Sequence, residues 1–212
     1  TVPASITVEA TTANGTPATN TAITAFLNAA TATDTVDGVL DVTNNAPSVF
    51  PLGVTTVTFS ATDSAGNTSS NTATVTVQDQ GSPILTVPSN ITVEATTANG
   101  TPATNAEITA FLNAATATDT VDGALNVTNN APSVFPLGVT TVTFSATDSA
   151  GNTSSNTATV TVQDQGAPTV IVPANIMVKA TNADGTPATN AAITAFLNAA
   201  TATDTVDGAL NV

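Results

Sequence analysis

The sequence predicts an all-β protein built of tandem β-sandwiches, each carrying one short helix. Three observations predict this. A long repeat runs through the whole chain. Inside each copy most segments alternate apolar and polar residues with period two. Gly, Asn, Asp and Pro cut those segments into short strands.

The segment ITVEATTANGTPATN begins at residues 6 and 91, and IMVKATNADGTPATN begins at 176, so the period is 85 residues (91 − 6 and 176 − 91). Residues 23–80 and 108–165 differ only at Val39 against Ala124 and at Asp41 against Asn126. Near-identity of this kind follows from recent duplication, and further copies are expected beyond both ends. The expected domains are residues 1–82, residues 83–167, and residues 168–212 as the first half of a third. Half a sandwich cannot bury its apolar face and leaves open strand edges. The third unit is therefore expected to be completed by more of the same chain or by a neighbouring one.

The second copy shows the elements in order. ILTVPSNITVEAT, 84–96, is extended, and Pro88 is expected to break it into two short edge strands. NAEITAFLNAA, 105–115, has Ile108, Phe111 and Leu112 at helical spacing among alanines. This predicts a short helix capped by Thr104 or Asn105, with Phe111 and Leu112 turned into the core. ALNVT, 124–128, reads as a short strand and FPLG, 135–138, as a corner. TTVTFSATD, 140–148, puts Val142, Phe144 and Ala146 on one side, and NTATVTVQD, 156–164, does the same with Ala158, Val160 and Val162. These read as half-buried antiparallel strands. SAGNTSS supplies the turn between them.

Composition narrows the function. Fifteen acids face one base, Lys179, giving a net charge of −14. Nucleic-acid binding needs cationic side chains to displace counterions, so it is not expected. No apolar run is long enough to enter a bilayer as a spanning helix. With no Cys or His there are no disulfides and no thiolate or imidazole metal sites. With no His, Cys, Tyr or Trp, Ser–His and Cys–His catalytic pairs cannot form, and no enzymatic activity is expected.

FPLGVTTVTFSATDSAGNTSSNTATVTVQDQGAP resembles the C-terminal half of a hyalin repeat (HYR) domain, and PSNITVEAT resembles the family's first strand. The resemblance covers both full copies and the half copy. It implies an immunoglobulin-like sandwich, used outside the cell in arrays for adhesion or spacing, as on bacterial surface proteins. The cysteine pair of many family members is missing, which rules out their disulfide but not the fold.

Acids at Glu9, Glu94, Asp41, Glu107 and Asp184 are replaced by other residues in sister copies, which places them on solvated surface. Other acids are present wherever their segment is: Asp34, Asp119 and Asp204; Asp37, Asp122 and Asp207; Asp63 and Asp148; Asp79 and Asp164. The first two sets come from the thrice-repeated ATDTVDG. On the immunoglobulin-like topology that the resemblance implies, Asp119, Asp122 and Asp148 gather at the top of the second repeat, where Asp79 enters from the linker. Like charges ~4 Å apart repel by about 1 kcal/mol in water and about 4 kcal/mol at a protein-like effective dielectric. Such a cluster wants a cation. Hard oxygen ligands suit Ca²⁺, which extracellular modules bind at roughly 10⁻⁴–10⁻³ M. The competing reading is turn chemistry alone, each Asp satisfying backbone N–H groups without metal.

The expected function is thus a non-enzymatic extracellular array of sandwiches, an adhesin stalk, spacer or surface filament, stiffened by calcium at its joints into an elongated rod. Its partners would be further copies of the repeat in the same or neighbouring chains. One alternative is a filament subunit held by lateral or strand-exchange contacts without metal. Another is a carbohydrate-binding module recognising cell-surface or matrix glycans, which would need exposed aromatics among the seven Phe residues. N-x-S/T sequons begin at Asn14, Asn67, Asn90, Asn99, Asn126 and Asn152, so surface glycosylation is compatible.

Overall fold

A computed structural model describes all 212 residues, Thr1–Val212. The first copy runs β1 (Ile6–Glu9), β2 (Thr16–Pro17), α1 (Thr21–Asn28), β3 (Ala32–Asp34), β4 (Gly38–Leu40), β5 (Thr43–Asn44), β6 (Val49–Phe50), β7 (Gly53–Thr62) and β8 (Thr68–Gln78). The second repeats it as β9 (Ile84–Thr86), β10 (Ile91–Glu94), β11 (Thr101–Pro102), α2 (Ala106–Asn113), β12 (Thr116–Asp119), β13 (Gly123–Leu125), β14 (Thr128–Asn129), β15 (Val134–Phe135), β16 (Gly138–Thr147) and β17 (Thr153–Gln163). The third contributes β18 (Thr169–Ile171), α3 (Ala191–Leu197), β19 (Thr201–Asp204) and β20 (Gly208–Leu210).

The main sheet of the first copy has the order β1-β8-β7-β5. Strands β7 and β8 form one long antiparallel hairpin, from Gly53↔Val77 to Thr62↔Thr68. Strand β1 runs parallel to β8, ending at Glu9↔Gln78. Period-two alternation puts Val57, Phe59, Ala73, Val75 and Val77 on the buried face. Ile23 and Phe26 of α1 close the core, with the Phe26 ring edge-on to Phe59 at 5.6 Å. The second copy repeats the sheet order as β10-β17-β16-β14.

The predicted elements form, with three differences. Asn105 is the helix cap, its side chain accepting from the Glu107 and Ile108 N–H groups. The helix buries Ile108 and Phe111, while Leu112 is only half-buried. An eight-residue helix presents little more than one i, i+3 pair squarely to the sheet. Second, ALNVT is not one strand. Its start pairs as β13 with β12 and its end belongs to β14 in the main sheet, so the chain changes sheets between them. Third, the two-residue ladders Thr16–Pro17 with Val49–Phe50, and Thr101–Pro102 with Val134–Phe135, carry no alternation that a sequence could display. Pro88 acts as expected: β9 pairs antiparallel with β12, and β10 pairs parallel with β17.

The chain divides into two compact units that do not coincide with the sequence repeats. The first comprises Thr1–Thr86, Thr116–Thr128 and Ser145–Asn156, and the second Val87–Ala115, Asn129–Phe144 and Thr157–Val212. Within the first unit, β9 carries the linker onto the edge of β12 and so joins 116–128 to it. Within the second, β18 lies on β19 in the same way. The third copy leaves Val172, Val178 and Leu197 exposed where their counterparts are buried or half-buried, because the strands that cover those counterparts are not among its residues. No helix is long and apolar enough to cross a membrane.

Candidate metal centre at the linker

Three short-range rules position the acids inside the first unit. Asp119 ends β12 and opens the T-V-D-G turn. Its Oδ1 accepts from the Val121 N–H at 2.7 Å and the Asp122 N–H at 3.1 Å, an Asx turn that fixes the carboxylate. Asp148 opens the β16–β17 hairpin and accepts from the Asn152 N–H at 2.8 Å and from Asn152 Nδ2 at 2.9 Å. Asp79 follows the end of β8, and its Oδ1 accepts from the Gly81 N–H at 3.2 Å.

Tertiary structure then brings carboxylate oxygens of Asp79, Asp119 and Asp148 within 4.8 Å of one another. Asn152 ties the cluster to the linker by donating from Nδ2 to the Asp79 carbonyl at 3.3 Å. Asp79 Oδ2 is buried and has no hydrogen-bond partner. In the second unit, Asp164, Asp204 and Asp207 form a similar group within 4.8 Å.

The remaining predicted residues lie differently. Both oxygens of Asp122 are turned to Ser149, one accepting from its N–H at 2.7 Å and the other from its Oγ at 2.8 Å, so Asp122 stands outside the three-carboxylate group. Asp37 binds Ser64 in the same manner. Asp207 joins its group, with no serine of the 212 residues in the place that Ser64 and Ser149 take in the other copies. Asp34 and Asp63 face each other closely enough for the Asp63 charge to act on Asp34, with no linker acid beside them.

Electrostatics separates these carboxyls. Burial pushes Asp79 above the usual carboxylate range, and the charges of Asp119, Asp148 and Glu9 add to it against the Gly81 bond. Burial also acts to raise Asp148, but the side-chain and backbone bonds from Asn152 outweigh it and hold Asp148 low. Asp63 is held low by Asn67, and Asp34 by the Val36 and Asp37 N–H groups. Asp79 is thus the carboxylate whose charge is least well compensated.

Two features escaped the sequence. The replacement of Glu9 by Lys179 in the third copy points to an open-surface position with no fixed partner. The Glu9 side chain is exposed, but it accepts from the linker N–H groups of Gln80 and Gly81, each at 3.1 Å. Glu94 does the same to Gln165 and Gly166. The second is the valine of the T-V-D-G turn. Val36 is 91% exposed, whereas Val121 is partly buried against the core of the first sandwich. Val121→Ser is therefore expected to destabilise the chain by about 1 kcal/mol, and Val36→Ser by almost nothing, in chemical denaturation. Equal effects would show that Val121 contributes no contact beyond its own turn.

The aromatic residues do not form a sugar platform. Six of the seven Phe residues are buried, and Phe196 is half-buried.

Repeated, mostly antiparallel sandwiches with acidic, hydrogen-bonded linkers define a class of tandem structural module. The chain belongs to the HYR domain family, whose model matches residues 1–77 and 78–162. It is 35% identical over 176 residues to Hyalin of Lytechinus variegatus, covering 79% of this chain and 32% of that protein. It is 36% identical over 173 residues to Hyalin of Strongylocentrotus purpuratus, covering 76% of this chain and 14% of that protein. The chain therefore spans a third or less of these relatives. Among solved structures, Drosophila N-cadherin EC1-4 aligns over 77% of this chain and 48% of its own, at 13% identity and a TM-score of 0.34. Human CDH23 EC21-23 aligns over 86% and 77%, at 16% identity and a TM-score of 0.31.

Proposed function

We propose that the chain is a non-enzymatic stretch of an extracellular adhesion-type array, a spacer, stalk or filament, whose joints are stiffened by calcium. Family membership supports the structural role. The cation rests on one observation: Asp79 Oδ2 is buried, has no hydrogen-bond partner, and shares a cluster with two further carboxylates. No Lys or Arg exists in the first two copies to neutralise it.

The donor set fits calcium. At metal–oxygen distances of about 2.3–2.6 Å, oxygens on opposite sides of Ca²⁺ lie up to about 5.2 Å apart, so carboxylate oxygens that all fall within 4.8 Å of one another can share one such ion. Asp79, Asp119 and Asp148 would hold the ion at the first joint, and Asp164, Asp204 and Asp207 would supply ligands at the second. A bound ion would cancel the repulsion among the acids and fasten the linker to the second repeat's turns. The proposed repeat limits remain 1–82, 83–167 and 168–212.

Calorimetric melting of the full chain, with calcium chloride and with chelator, tests the reading. The expected result is an upward shift of about 10 °C or more at calcium concentrations near 100 times Kd. Superimposable melts at millimolar calcium would leave the Asp residues as turn-formers only.

A further inference from the structure

We infer that Glu9 and Glu94 are linker latches: each sets the path of the linker that follows its own sandwich, independently of metal, and thereby presets the linker carboxylate in the joint. The second half of this inference rests on the calcium reading, and the first half does not.

The geometry is specific. Glu9 is the last residue of β1, held in register beside Gln78, the last residue of β8. One residue further on, the chain must leave the sheet. Both Glu9 oxygens take the Gln80 N–H at 3.1 Å, and Oε1 also takes the Gly81 N–H at 3.1 Å. Asp79 Oδ1 shares that Gly81 N–H. Two successive linker donors are therefore committed to one carboxylate anchored on the preceding strand. That commitment fixes the Asp79 backbone between Gln78 in the sheet and Gln80 under the latch. It leaves Oδ2 as the one Asp79 side-chain oxygen not bound within the linker. Both carboxylates sit close about Gly81, where a Cβ would make ordinary van der Waals contact with Asp79 Oδ1 and Glu9 Oε1, each at 3.5 Å.

The same device recurs. Glu94 accepts from the Gln165 N–H at 3.0 and 3.2 Å and from the Gly166 N–H at 3.1 Å, while Asp164 Oδ1 shares the Gly166 N–H. Charge-assisted acceptance of two backbone donors is among the stronger hydrogen-bonding arrangements available at a surface. The position is also a natural tuning point. Lys179 occupies it in the third copy, and a lysine ammonium only donates, so it cannot latch backbone N–H groups. The position thus tolerates side chains that latch and side chains that do not.

The test is amide hydrogen exchange by NMR on the full chain in chelator, comparing the parent with Glu9→Ala and Glu9→Gln. Loss of a charged acceptor is expected to speed exchange at Gln80 by about tenfold or more in Glu9→Ala, and less at Gly81, which keeps the Asp79 Oδ1 acceptor, with smaller changes in Glu9→Gln, whose amide oxygen still accepts. Gln165 and Gly166 are the internal control and should not change. Unaltered exchange at Gln80 and Gly81 would overturn the latch. Calcium chloride titration of the same proteins tests the presetting. Positioning predicts a larger loss of affinity at the first joint in Glu9→Ala than in Glu9→Gln. Equal losses would mean that Glu9 acts by charge alone and would overturn the presetting. Freed amides in Glu9→Ala with no calcium binding by any of the three proteins would sustain the latch and refute the calcium reading.

Discussion

Asp79→Asn is expected to change stability in opposite directions with and without calcium. In calcium at about 100 times Kd, an ion bound at the proposed site would contribute about 2.7 kcal/mol to the folded state. Asparagine keeps an oxygen but removes the charge, so most of that gain should vanish and the melting temperature should fall by about 10 °C. In chelator at pH 7 the same substitution removes a carboxylate that burial and three neighbouring acids disfavour. The variant should then melt at or above the parent. A drop of equal size in both conditions would reduce Asp79 to a cap for Gly81.

The metal-free pH profile follows from the same groups. The folded carboxyl of Asp79 lies above its ordinary value of 3.8. Its protonated form is favoured by folding, so its contribution is fully present below 3.8 and is lost as pH rises through the raised value. Asp34, Asp63 and Asp148 are shifted down, so theirs is present above 3.8 and lost as pH falls below it. The chelated chain should therefore be most stable in mild acid. Asp79→Asn should flatten the decline on the neutral side and leave the acid side alone.

Gly100→Ala is expected to be the most damaging single methyl in the second copy. Gly100 has φ +110°, and a Cβ there would sit 1.9 Å from the Phe135 carbonyl oxygen. That atom is backbone in β15, paired with β11 immediately beyond the glycine, so no side-chain rotation relieves the clash. Opening the ladder would expose Thr101 and Phe135, both fully buried. A loss of about 3 kcal/mol or more is expected, from strain and disrupted packing together. Gly15→Ala should match it, since Gly15 meets the Phe50 carbonyl at the same 1.9 Å. Gly185 is the control. It has φ +109° but nothing within 4 Å, so Gly185→Ala should cost only backbone strain, about 1–2 kcal/mol within the third copy. Full-chain denaturation that ranks Gly185→Ala with Gly100→Ala would show that the φ angle, rather than the carbonyl, sets the penalty.

Much of this was legible in the residues. The repeat, the β7–β8 hairpin and the buried alternation of Val57, Phe59, Val75 and Val77 follow from period-two patterning, because a strand's faces are set by its own sequence. The helix follows from the Ile108 and Phe111 spacing and the Asn105 cap. The retained acids were readable as a set, because three copies within one chain separate replaceable positions from retained ones. That same logic failed at Glu9. Replacement by Lys179 shows that the position accepts another side chain; it does not show that Glu9 has no partner.

Tertiary structure decided the rest. Asp79 and Asp119 are forty residues apart, and Asp79 and Asp148 sixty-nine, by their numbering. Only the pairing of β9 with β12 and the length of the β16–β17 hairpin set which oxygens meet. Asp122 drops out of the group because Ser149 offers it two donors, a contact that no local pattern encodes. Val36 and Val121 occupy identical sequence contexts, yet one is bare and the other packs on a core, since burial belongs to the neighbour as much as to the residue. The sequence by itself determined the strands, the helix and the inventory of charge, which are properties of local periodicity and composition. Which carboxylates share a joint, which one lacks a partner, and which valine is covered were decided by long-range pairing alone.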